Sequence, residues 1–331
     1  MKVGTIGSGV IVTRMIDALR NVEGNEVVAC YSRTQKRADE FSKQYNIPKT
    51  YTDLDEMLKD DEIDTIYVAS PNSLHFEQSK KALLAKKHVI NEKPFTASIK
   101  QAKELFDIAK ENGVYIFEAI TTHYLPNYDV VKKNLDKVGE IKFIQINFSQ
   151  YSSKYAKYKN HENPNVFNPA FKGGALMDIN VYNLHFVTGI FGKPLSSTYI
   201  ANQGYNGIDT SGIVILQYPD FIATCIGAKD SSSTNSAIIQ GDKGYIRVYN
   251  SSTGVCKDVL YSPPVGDLIG IKGFKDPTEH IGIEQAFNHM VYEVKNFMDV
   301  IDNKNDVLYK KMCDQTLLVV EILEQSLKQL A

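Results

Sequence analysis

Glu92-Lys93-Pro94 directly follows the apolar run His88-Val89-Ile90-Asn91, so an ammonium group stands at a strand end with a proline behind it. An ammonium held in that way can stabilise charge growing on a substrate oxygen, and the proline ring limits the freedom lost in aiming it. A second set of reactive side chains, Asp178, Tyr182 and His185, is spaced at offsets of four and three. It falls within Ala175 to Phe191, a stretch with helical apolar spacing. Those offsets put the three on one helix face, pointing into one cleft. A phenol ordinarily ionises near about pH 10, so a neighbouring ammonium such as Lys93 would help Tyr182 give and take a proton at neutrality. The residue types suggest Tyr182 as proton donor or acceptor, Lys93 as its electrostatic partner and oxygen binder, and Asp178 as orienter or substrate-hydroxyl acceptor. Plainer readings stand beside these: Asp178 as a first-turn acid facing the helix dipole, Tyr182 as a core aromatic, and His185 as a structural histidine.

The chemistry such residues suit needs a hydride carrier, and the N-terminal turn is built for one. Gly7-Ser8-Gly9-Val10-Ile11-Val12 fits a GxGxx pattern, with Val12 where a third glycine or alanine is usual. Gly7 permits the tight turn, Gly9 lets the backbone approach a pyrophosphate, and the helix that starts at Val10 and Ile11 offers unpaired NH groups. Enzymes that prefer NAD usually carry an acid at the end of the second strand. Here that place reads Tyr31-Ser32-Arg33-Thr34-Gln35-Lys36-Arg37, with no carboxylate. Ser32 with Arg33, Lys36 and Arg37 can bond a 2′-phosphate, which favours NADP over NAD; the bland alternative is a solvated basic helix start.

Elements that position these groups are legible in the hydrophobic pattern. Val3–Ile6, Glu26–Tyr31, Thr65–Ala69, His88–Ile90 and Val114–Phe117 read as strands. They alternate with helical stretches at Ile11–Leu19, Leu74–Ala85 and Ile99–Glu111. That alternation predicts an α/β unit with a doubly wound parallel Rossmann sheet over residues 1–120, its ligand lying beyond the carboxyl ends of the strands. After Ala119 the alternation stops. Asp129–Lys137 reads as helix and Ile141–Gln150 as a strand of period two. Further strands are expected at 197–201, 212–218, 221–228, 237–240 and 245–249. Residues 121–331 are thus expected to form an α+β domain for substrate binding and oligomerisation, with a large, mostly antiparallel open sheet. It closes with amphipathic helices at His280–Ile301 and Asp306–Leu330, after a Pro- and Gly-rich surface loop at Tyr261–Gly273.

With these segments in place the chain resembles the Gfo/Idh/MocA (glucose-fructose oxidoreductase and inositol dehydrogenase) family. Strand-end EKP is one hallmark. Ser70-Pro71-Asn72-Ser73-Leu74-His75 is like that family's TPNxxH segment, Phe117-Glu118-Ala119 like its MEA strand end, and Gly173 to Tyr182 like its GGALxDxGxY segment. The resemblance implies that Lys93 is catalytic, that Asp178 is an active-site acid, and that Glu92-Lys93-Pro94 lies beside the nicotinamide ribose with a cis bond before Pro94. Ser70, Pro71, Asn72 and His75 would border the cofactor; His75 would order the loop after the fourth strand, and Asn72 could simply cap the next helix. Tyr182 stands where many members have histidine, which places the chain nearer the dihydrodiol and aldose dehydrogenase-like branch. His123, where arginine is commoner, and Lys172, where glycine is commoner, depart from the pattern. His123, Tyr155 and Asn165, with Asp178, Tyr182 and His185, are the substrate-binding candidates.

The 331 residues carry 37 Lys and Arg against 39 Asp and Glu, a formal charge of −2, so no bulk attraction to phosphate backbones or anionic membranes is expected. Four scattered cysteines without CxxC spacing read as structural thiols, and no metal site is expected. The start, MKVGTIGSG, runs straight into a strand pattern, and no apolar run approaches a membrane span, so a cytoplasmic protein is expected. The reading that follows is an NADP- or NAD-dependent oxidoreductase acting on a sugar, polyol or dihydrodiol carbon. It is expected to work as a homodimer or homotetramer paired through the open sheet. Two alternatives share the fold: a dinucleotide-binding sensor without catalysis, and an NAD-retaining enzyme that cleaves glycosides.

Overall fold

The computed structural model describes residues 1–264 and 277–330 and resolves into two compact units. The first comprises Met1–Ile120, Ala170–Lys172 and Phe287–Glu321; the second comprises Thr121–Pro169, Gly173–Ala286 and the residues from Ile322. The segment 287–321, which the sequence reading placed with the second region, clusters with the first.

Six parallel strands form the sheet of the first unit: β1 (Lys2–Ile6), β2 (Glu26–Tyr31), β3 (Lys49–Tyr51), β4 (Thr65–Val68), β5 (His88–Glu92) and β6 (Ile116–Ala119). Their order is 3-2-1-4-5-6, the doubly wound arrangement expected from the alternation. The central strands are buried on both faces, which is why they read as unbroken apolar runs: every residue of β4 is buried, as is every residue of β6. Helices α1 (Val10–Arg20), α2 (Gln35–Tyr45), α3 (Leu54–Leu58), α4 (His75–Leu84) and α5 (Ile99–Asn112) connect them. Val12, Met15, Ile16 and Leu19 recur at helical spacing and bury one face of α1. Gly113, at φ 68°, ends α5 in a left-handed turn.

In the second unit, α6 (Pro126–Lys133) and α7 (Leu135–Val138) lead into β7 (Ile141–Ser149). Then come α8 (Tyr155–Lys159) and α9 (Val181–Phe191). An eight-stranded sheet combines β7 with β8 (Ser196–Gln203), β9 (Asp209–Gln217), β10 (Ile222–Ala228), β11 (Ser236–Gly241), β12 (Gly244–Tyr249), β13 (Asp258–Ser262) and β14 (Glu279–His280). Among the described residues only the β7–β10 pair of this sheet is parallel, so the mostly antiparallel expectation is met. One sheet face carries a row of isoleucines: exposed Ile200 lies opposite exposed Ile213, which lies opposite half-buried Ile226. Ile200 is 63% exposed.

Three expectations need correcting. The helix expected over His280–Ile301 is α10 (Met290–Asn303), because His280 pairs in β14 and the amides of Ile281 and Gly282 donate to Val259 O. Residues 176–180 form a π turn ahead of α9, so Ala175–Phe191 is not one regular α-helix. Tyr261 and Ser262 finish β13; Pro263 and Pro264 follow, and the rest of the loop expected up to Gly273 lies outside the described residues. The final helix, α11 (Asp306–Lys328), matches the expected span closely.

Candidate active site

In the first unit the glycine turn has the shape a dinucleotide needs. Gly7 has φ 116°, and a Cβ there would lie 2.6 Å from Ala69 O, so no side chain fits. Gly9 is the N-cap of α1, and nothing stands within 4 Å of where its Cβ would be, leaving the approach to the helix N-terminus open. Val10 is exposed, Ile11 is half-buried, and Val12 is fully buried against the sheet. Past β2, the Ser32 amide donates to Tyr51 O at 3.0 Å, while Arg33, Lys36 and Arg37 are all solvent-exposed.

Lys93 is half-buried, and the chain on either side of it is held from several directions. The bond to Pro94 is cis, as the resemblance implied. Tyr67 on β4 donates its hydroxyl to Glu92 at 2.5 Å. Asn91 Nδ2 donates to Phe95 O at 2.7 Å, and the Phe95 amide donates to Glu118 Oε1 at 3.0 Å. Glu118 also accepts from Thr316 of α11 at 2.8 Å. His75, 1% exposed, sets Nδ1 3.0 Å from Pro94 O and Nε2 2.9 Å from Ser70 O, joining the loops after β4 and β5. Burial pushes its pKa down, with nearby Lys93 acting the same way. Asn72 donates to Lys172 O at 2.8 Å rather than capping the following helix. Ser70 and Pro71 form the start of that loop, both half-buried.

Burial raises the Glu92 carboxyl to about 7, against the lowering effect of the Tyr67 hydrogen bond and the Lys93 charge. A second buried acid, Glu293 on α10, has neither carboxyl oxygen hydrogen-bonded, and burial followed by the Glu92 charge pushes its pKa well upward. Burial thus shifts both acids toward protonation.

The second unit carries the other candidates. Gly174, at φ 102°, lets Asp209 reach the start of the helical segment: Asp209 Oδ2 accepts from the Leu176 amide at 2.6 Å and from Tyr199 Oη at 2.7 Å. Burial raises Asp209 to about 6, partly offset by these bonds. The π turn then presents Asp178, whose carboxylate pairs with Lys229 at the end of β10. Such turns are frequent where helices carry functional groups. Tyr182, on the first turn of α9, packs its ring against Phe148 of β7 at 5.8 Å between centroids and against the backbone of Gly254, where a Cβ would come within 2.8 Å.

Not every candidate joins this group. His185 is fully buried, its Nδ1 2.9 Å from Nε2 of His123, and burial, then the His185 charge, hold His123 well below its ordinary pKa. Tyr155 packs in an aromatic cluster with Tyr151, Tyr158 and Phe167. Asn165 is exposed on the loop whose Val166 O accepts the Gly174 amide at 2.9 Å. Lys229 and Asp209 were not singled out from sequence. The one available signal was position: like Lys93, Lys229 ends an apolar strand.

Comparisons with known proteins agree with this architecture. Residues 1–120 match the profile of an oxidoreductase family with an NAD-binding Rossmann fold, and residues 132–247 match the GFO/IDH/MocA C-terminal domain. The uncharacterised oxidoreductase YgjR of Escherichia coli K12 is 34% identical over 91% of this chain and 88% of its own length. The scyllo-inositol 2-dehydrogenase (NADP(+)) IolU of Bacillus subtilis is 33% identical over 98% of this chain and 95% of its own. KijD10, a 3-ketoreductase from Actinomadura kijaniata solved with NADP and TDP-benzene, shares the fold. Its TM-score is 0.83 over 96% of this chain and 95% of its own, at 22% identity.

Proposed function

As the chain belongs to the Gfo/Idh/MocA oxidoreductases, we propose that it interconverts a secondary alcohol and a ketone, or a hemiacetal and a lactone, on a sugar or polyol, with NADP as hydride partner. The observation that carries this reading is Lys93, an ammonium-bearing residue at the carboxyl end of β5, whose loop is fixed by Asn91, His75 and Glu118. Gly7 and Gly9 leave room for the pyrophosphate, and exposed Arg33 and Arg37 are available for a 2′-phosphate. NADP, when bound, supplies or accepts the hydride. Lys93 stabilises the charge on the reacting oxygen, Tyr182 exchanges its proton, and Asp178 accepts a hydrogen bond from a substrate hydroxyl or orients the phenol. NADP named in the IolU relative supports the cofactor choice. The exposed isoleucine face supports pairing with a second copy.

The test is Lys93→Met, followed by NADPH absorbance with a panel of keto-sugars, inososes and lactones, alongside NADPH titration. Turnover should fall by about a hundredfold or more while NADPH affinity holds within a few-fold. Unchanged turnover in the variant would remove Lys93 from the mechanism.

A further inference from the structure

We propose that Lys229 is a positioning residue for the reaction: it holds the Asp178 side chain in one rotamer and offsets its charge one helical turn from Tyr182. This deepens the proposed function and rests on it. The pair joins two side chains 51 positions apart, with the Lys229 side chain 8% and the Asp178 side chain 33% exposed.

The frame around this pair is stiff on both sides. The Lys229 amide donates to Thr210 O at 2.9 Å, and Lys229 O accepts from the Ser152 amide at 2.9 Å, so the lysine backbone is tied to β9 and to the chain after β7. The neighbour of Thr210, Asp209, caps the helical segment that carries Asp178, so two consecutive residues set the register of both partners. Asn180 Nδ2 donates to Cys225 O and Asn183 Nδ2 to Ile226 O, each at 2.9 Å, which staples the helix along β10 up to the strand end where Lys229 stands.

Three other titratable groups on these elements, Asp230, Asp209 and His185, have partners of their own. Asp230 Oδ2 accepts from Thr210 Oγ1 at 2.7 Å and Ser211 Oγ at 2.8 Å. Asp209 is taken by Leu176 and Tyr199, and His185 faces His123. A bare carboxylate one turn from a phenol repels the phenolate, whereas a carboxylate already paired with an ammonium presents only a dipole, whose field fades faster with distance. Lys229 therefore makes it easier for Tyr182 to act as a base without removing the hydrogen-bond acceptor that Asp178 provides.

The test is a double-mutant cycle in the full chain with NADP(H): Lys229→Met, Lys229→Arg, Asp178→Asn, and Lys229→Met with Asp178→Asn. Alcohol oxidation is followed from about pH 5 to 10, and thermal unfolding is recorded for each protein. Lys229→Met should lower kcat by about tenfold or more, leave KM for NADP within about twofold, and move the pH limb that reports the phenol upward by about one unit. Lys229→Arg should restore most of kcat. In the Asp178→Asn background the same lysine change should cost less than about twofold, since it acts through Asp178. A Lys229→Met profile superimposable on wild type, or fully additive losses in the double variant, would overturn the inference. Wild-type protein with no turnover on any substrate would instead sink the functional reading itself, and the pair would then show only as coupling in the unfolding cycle.

Discussion

Glu92→Gln tests whether burial or charge pairing governs the acid beside Lys93. Glu92 is 5% exposed, and desolvation raises it from 4.5 to about 7 even though Tyr67 and Lys93 both pull the other way. An unfolded carboxyl ionises near pH 4.5 while the folded one keeps its proton until about pH 7. Across that window the unfolded state binds fewer protons, so stability falls as pH rises and levels off above the folded value. A rise of that size corresponds to about 3 kcal/mol by the usual conversion of 1.36 kcal/mol per unit. Glutamine keeps an acceptor for the Tyr67 hydroxyl and cannot ionise. Measured by urea unfolding at pH 5 and pH 8, wild type should lose about 2.5 kcal/mol relative to Glu92→Gln between the two conditions, since part of the loss is already complete at pH 5. Taking the difference cancels every group common to both proteins, provided Glu293 stays neutral in both. Parallel curves from pH 5 to 8 would refute the reasoning. A glutamine variant that weakens at high pH would show that pairing with Lys93 outweighs desolvation.

Three further outcomes are expected. Arg33→Ala should weaken NADPH binding by about tenfold or more and leave NADH nearly unchanged in a fluorescence or thermal-shift titration, since only the phosphate bonds are lost. Gly174→Ala should destabilise by roughly 1–3 kcal/mol and lower kcat together. The residue sits at φ 102°, and its new methyl would fall 1.9 Å from Asp209 Oδ1, displacing the cap of the segment that bears Asp178. Ile213→Lys, on the exposed sheet face, should convert a dimer or tetramer to monomer in light scattering; an unchanged mass would remove this face from assembly.

Much of the first unit was legible because parallel strands covered on both sides leave continuous apolar runs, with glycine and proline marking their ends. The edge strand Lys49–Tyr51, three half-buried residues, lacks that signature and was missed. Lys93 stood out because it directly follows a strand and precedes a proline. Lys229 also follows a strand but has no proline behind it, and what singles it out is a partner 51 residues away. The π turn at 176–180 has the same apolar spacing as an α-helix, so Asp178, Tyr182 and His185 looked equivalent, yet His185 is turned into the interior against His123. The helix misplaced at His280 shows the same limit, since pairing with β13 overrides helical spacing there.

The imidazole of His75 reaches carbonyls on two neighbouring loops, one of which leads into Asn72 and the other of which carries Lys93. A strut of that kind makes the two loops move together. On the proposed function, with the dinucleotide bordered by Ser70–Asn72, the same strut would settle the amine as the nucleotide seats, and the kinetic scheme to expect is ordered, with the dinucleotide entering first and leaving last.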